Sequence, residues 1–222
     1  MSFNLALLAE YGPQLRHGLQ ITILLWLAGS AIAAVIGFIC GFGAALGPVW
    51  LRRAVRCYVE LFRGTPLLVQ VFLVYSGGPH IGITLGAMTV GIGGLGLYGG
   101  AYFTETVRAG VLGIPNGQIE AGRAFGLTRL QIIRTVMLPQ MLVLSLPPTV
   151  NLLIFLLKDT AVLSILTIPE LTFEVTGMTL ETFAFVEPFL ALAIGYWVLV
   201  ELTAIAGRFA EQRLSRRLGM AL

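Results

Sequence analysis

Few side chains in this sequence could do chemistry, and their spacing limits what that chemistry would be. Lys158 and Asp159 stand side by side at the end of a long apolar run. Adjacent helical residues point about 100° apart, so the two do not simply pair with each other. Charges near hydrocarbon are costly and tend to line pathways or to find partners. The pair therefore reads either as a helix end at a membrane interface or as a site for the ionic groups of a solute. Glu60 and Arg63, and again Glu105 and Arg108, stand three residues apart on apolar stretches, where each pair can share a helix face. They read as structural ion pairs at an inner interface, or as contacts to a gate or a partner. The histidines, His17 and His80, have no partner at ligand spacing, so no metal site is expected. Cys40 and Cys57 do not make a disulfide framework. An intramembrane enzyme would need a nucleophile–base or metal set, and the sequence offers none.

The elements that hold these residues must lie in lipid. Of the 222 residues, 57% are hydrophobic and only 11% charged. A soluble domain carries about 25% charged residues. The excess of 14 basic over 11 acidic residues is too small to suggest nucleic-acid binding. Hydropathy predicts an all-α polytopic membrane protein with about five spans, near 19–46, 58–76, 83–107, 138–157 and 183–206. The first apolar run, Leu19 to Leu46, holds 28 uncharged residues, too long for a signal-peptide core. Pro66 reads as a kink in the second span, and Pro147-Pro148 as kinks in the fourth. Residues 160–168 are too few to cross and read as re-entrant or packed at an interface.

Arginine placement tests the count. With five spans and the N-terminus outside, the inner segments hold twelve arginines, among them Arg52, Arg56, Arg123, Arg129, Arg208 and Arg217. Outside remain Arg16 and Lys158. That is a strong positive-inside bias. Asp159, Glu170, Glu174, Glu181 and Glu187 fall outside against Lys158 alone, a field that would concentrate cationic solutes or steer a basic partner. Gly37/Gly41, Gly43/Gly47 and Gly96/Gly100 have the spacing that lets helix backbones approach in lipid, within the chain or across a dimer seam. No internal repeat is visible, and residues 1–222 read as one domain.

The longest inner connection, about 113–137, carries the functional argument. Ile114-Pro115-Asn116-Gly117 predicts a turn, 118–125 a short helix, and Gly126 a break. Thr128 and Gln131 have capping-box spacing for a second short helix. On physical grounds this is either a solvated loop or a plug for another protein's groove. Glu120-Ala121-Gly122, three residues, Gly126, nine residues, then Val136-Met137-Leu138-Pro139 resembles the EAA loop of ABC importer permeases. Gly122 stands where that loop has Ala, and Val136 where it has Ile. The stretches 60–70, 100–110 and 156–160, with a weaker echo at Tyr196, narrow the resemblance to the polar amino acid branch, the histidine/glutamine/arginine/opine type.

The resemblance implies a mechanism. Two permease subunits, identical or related, would form an alternating-access pathway in the bacterial inner membrane. Cytoplasmic ABC ATPase subunits would dock on Glu120, Ala121, Gly122, Arg123, Phe125 and Gly126. An extracytoplasmic solute-binding protein would deliver a basic or zwitterionic amino acid, whose ammonium would meet Asp159. ATP and Mg would belong to the partner. The sequence agrees on one point: its lone lysine precedes Asp159, so it has no Gly-Lys-Ser/Thr P-loop. The rival class, an ATP-independent channel or secondary transporter, leaves the EAA-type loop unexplained.

Overall fold

A computed structural model describes residues 5–218, with side chains from 6 to 216. The Arg217 side chain and the ends of the 1–222 domain lie outside the described residues. Among the described residues every regular element is helical. A short α1 (Leu5–Glu10) leads into α2 (Gly12–Leu46), 35 residues long, about 52 Å at 1.5 Å per residue. α2 packs against α5 (Ala87–Leu112) along most of its length. Glycines on both helices make the approach possible. A methyl group on Gly41 would come within 2.6 Å of Val107, and one on Gly37 would overlap Phe103. Gly96 is filled in the same way by Ile32 of α2, and Gly47 faces Leu51. All three glycine pairs thus pack within the chain.

α5 is the hub. It touches α2, α3, α4 and α8 and buries half its residues, including Leu95, Phe103 and Val107. Its glycines and tyrosines keep it out of the runs that qualify as spans by hydropathy. Walled in by its neighbours, it needs less lipid-compatible surface. By length and hydropathy alone three helical runs can cross a membrane, 12–46, 129–166 and 186–216, or four with one bent pair. α5, 26 residues long, covers the third expected span without passing that test.

The bent pair corrects the second predicted span, which is not one helix. α3 (Val49–Gly64) turns by 98° into α4 (Leu67–Phe72) and the turns that follow to Ile81. Pro66 forces Thr65 out of the helical region, to φ −125° and ψ 144°. Gln70 staples the corner, donating from Nε2 to the carbonyls of Phe62 (2.9 Å) and Thr65 (3.1 Å) that the break strands. α3 buries Val55 and Val59 and leaves Arg52, Arg53, Arg56, Glu60 and Arg63 exposed.

α6 (Asn116–Ala124) and α7 (Arg129–Ile132) follow α5. α7 does not stop before the fourth span. It widens into a π-helical turn over Ile133–Met137 and continues as α8 (Leu138–Asp159). Pro139 has no N–H for the regular ladder, which suits a widened turn there. Pro147 and Pro148 lie inside α8 without ending it. Residues Thr160–Leu166 extend it as a tight 3-10 helix, with Leu163 and Leu166 wholly buried. The stretch packs into the core through these residues and Ile168. α9 (Leu171–Thr182) then leads to α10 (Val186–Leu218), whose apolar side chains, such as Trp197 and Phe209, are largely exposed.

Candidate functional site

The α6–α7 hairpin is built by local rules. Gly126 has φ +75°, in the left-handed region that a side chain resists. The Leu127 N–H returns to the Gly122 carbonyl (3.1 Å) and the Gly126 N–H to Arg123 (2.9 Å), so the end of α6 is closed. The capping box forms: Thr128 N–H donates to Gln131 Oε1 (2.8 Å), and Gln131 N–H to Thr128 Oγ1 (3.3 Å). Gly122 is the buried member of the motif. A methyl there would come 3.1 Å from Ile132 Cγ1, so the departure from Ala fits a tight α6–α7 contact. Glu120, Ala121, Arg123 and Ala124 face out, and Phe125 is 85% exposed. Arg129 Nη2 donates to the carbonyl of Leu46 (3.0 Å), tying the hairpin to the end of α2. The result is a rigid, outward-facing knob with an apolar tip.

A second cluster lies where α5, α8 and α3 meet. Tyr98, Tyr102 and Phe155 form an aromatic wall with ring centroids 5.1–6.0 Å apart. The two tyrosine hydroxyls are 3.3 Å from each other. Asp159 follows Phe155 by one helical turn and is half-buried. The Tyr98 hydroxyl lies within electrostatic reach of both Asp159 and Arg63. Lys158 is exposed, and no ion pair joins it to Asp159 among the described residues. Trp26 Nε1 donates to the Leu153 carbonyl (2.9 Å) and fixes this part of α8 against α2.

The two expected ion pairs fare differently. Arg108 grips Glu105 with Nη2 at 2.7 Å and Nε at 3.1 Å. Glu60 and Arg63 form no ion pair among the described residues. Arg63 instead lays its guanidinium over the Tyr102 ring, 4.9 Å from the centroid. Helical spacing alone could not weigh an aromatic face from another helix against a carboxylate.

Glu170 also departs from expectation. It is not part of an external acidic field but 0% exposed. Its carboxylate caps α9, accepting from Thr172 N–H (2.9 Å) and Phe173 N–H (2.8 Å), and takes the Tyr196 hydroxyl at 3.2 Å. Thr160 meets the same hydroxyl at 3.1 Å. Glu187 is buried too, and Glu181 accepts the Tyr11 hydroxyl at 2.8 Å. Glu170 thus joins α9 to α10, while Glu181 and Glu174 reach Tyr11 and His17 at the start of the chain. An acid just before a helical stretch, at 170–173, was the sequence signal for the cap. The Tyr98–Tyr102–Phe155 wall and the Gln70 staple carried no comparable signal.

Residues 33–216 match the model of the family described as binding-protein-dependent transport system inner membrane component. The chain belongs to this family. The permease is therefore a membrane-spanning transport subunit, not an enzyme. It is 32% identical over 212 residues to a putative glutamine transport system permease protein, GlnP, of Rickettsia bellii, covering 93% of this chain and 97% of that one. It is 36% identical over 169 residues to a probable amino-acid ABC transporter permease protein, PatM, of Vibrio harveyi, covering 75% and 76%. Among solved structures it resembles an amino acid ABC transporter crystallised with histidines, at TM-score 0.89 and 29% identity over 96% of the permease and 100% of that chain. The inward-facing MetNI methionine ABC transporter shares the fold, with TM-score 0.80 at 22% identity over 92% and 98%.

Proposed function

We propose that the permease carries polar amino acids, basic or zwitterionic, inward at the expense of ATP hydrolysed by a partner. The observation that carries the coupling half of this reading is the α6–α7 hairpin, whose Gly126 turn leaves Phe125 exposed and which Arg129 ties to the end of α2. Cytoplasmic ATPase subunits, which bind ATP and Mg, dock on that knob. Two permease subunits enclose the pathway, and an extracytoplasmic binding protein feeds it. The N-terminus is outside and the C-terminus inside. The two poles support this orientation. Arg52, Arg53, Arg56, Arg123, Arg129 and Arg134 gather at the hairpin end, while Glu170, Glu174 and Glu181 lie towards the other.

The cargo half rests on Asp159 and the aromatic wall. A half-buried carboxylate one turn from Phe155, unpaired with Lys158, suits a cationic ammonium group. The test is uptake of labelled amino acids into proteoliposomes holding the permease, its ATPase and the binding protein. ATP-dependent uptake of a polar amino acid is expected. Uptake that proceeds equally without ATP would favour a channel or secondary transporter.

A further inference from the structure

The α5 face that carries Tyr98 and Tyr102 continues inward through Glu105 and Leu112. These positions recur at i, i+4, i+7 and i+14, so they form one stripe. Beside its inner half lies a cleft of about 460 Å³ between α3, α5 and the end of α2. Arg52, Arg56, Arg63 and Arg108 line it against only Glu60 and Glu105. Arg108 is committed to Glu105. Arg52, Arg56 and Arg63 are exposed, and no ion pair engages them among the described residues. On α3 they fall at i, i+4 and i+11, within about 40° of one another around the helix. The stripe thus passes from the side chains near Asp159 to a row of free guanidinium groups.

Arg63 stands at the junction of the two. Its guanidinium carbon lies over the Tyr102 ring, 4.9 Å from the centroid, and no ion pair takes its N–H groups among the described residues. A guanidinium not engaged by an ion pair can take a carboxylate with two parallel hydrogen bonds. We propose that Arg63 is a specificity-determining residue that receives the carboxylate of the cargo on its way inward, with Arg56 and Arg52 as the next stations of an exit vestibule. The ammonium is held at Asp159, and the carboxylate is drawn along the arginine row. This rests on the amino acid reading above and deepens it. It also explains a need the resemblance leaves open: a path that favoured only cations would pass amines as readily as amino acids.

The test uses the permease–ATPase complex in nanodiscs, without nucleotide or binding protein, and titrates it with radiolabelled L-glutamine, L-histidine and L-arginine and with their α-amides. The amides keep the ammonium and side chain and lack the carboxylate. The expected result is that the intact permease prefers the acids, Arg63→Gln abolishes that preference by weakening acid binding about tenfold, and Arg63→Lys restores part of it. Asp159→Asn should weaken acids and amides alike. Undiminished preference in Arg63→Gln, with normal assembly and ATPase activity, would overturn the proposal. Equal binding of acids and amides by the intact permease would also overturn it, while leaving amino acid transport standing. Failure of every acid and amide to bind, together with failure of ATP-dependent uptake in proteoliposomes, would sink the amino acid reading itself.

Discussion

At the scale of single residues, three positions separate folding from coupling. Glu170 is a buried carboxylate satisfied by two backbone N–H groups and the Tyr196 hydroxyl. Glu170→Ala removes the cap from the Thr172 and Phe173 N–H groups, a loss of about 1 kcal/mol, while the Tyr196 hydroxyl keeps Thr160. A lower Tm in detergent is expected, with Glu170→Gln retaining much of the loss-free geometry through its amide oxygen. Equal stability of Glu170→Ala and the parent would contradict the cap. Gly37→Leu should be worse, because the side chain would have to enter the space of Phe103. Poor insertion or aggregation on size-exclusion chromatography is the expected readout. Gly126 is different. Nothing crowds it, so its substitution strains only the turn.

At the scale of elements, the corner between α3 and α4 is the feature that hydropathy reads least well. An apolar window cannot tell a kink from a 98° turn, because burial of Leu67 and Val71 looks the same in either. Pro66 marked the place, but the angle depends on Gln70 reaching back to Phe62 and Thr65. Gln70→Leu should therefore loosen the corner while the permease still inserts. Faster proteolysis or hydrogen exchange at 62–66 is the expected outcome, and unchanged protection would argue against the staple. The α6–α7 hairpin was far more legible, since a positive-φ glycine and a capping box are local devices. The run at 160–168 was not, because its burial is imposed by α2, α4, α5 and α9. Arg63 was misread for the same reason: Tyr102 belongs to another helix.

At the scale of the whole molecule, the glycine-lined α2–α5 pair forms the frame. The remaining helices hang an arginine-rich end and a carboxylate-bearing end on it. Reporter fusions after Gly47, within 117–126 and after Arg217 should read cytoplasmic, and fusions near Pro79 and Thr176 external. An external C-terminus would reverse the arrangement. The central claim is that the hairpin transmits ATP hydrolysis to a path through this frame. Valine at 126 costs about 1–2 kcal/mol in the left-handed region and would reshape the turn. The most direct measurement is ATP-dependent uptake of labelled amino acids by reconstituted Gly126→Val complexes, with ATPase co-purification on the same samples. The account predicts a correctly inserted permease that retains less ATPase and loses uptake. Full uptake with full ATPase retention would contradict it.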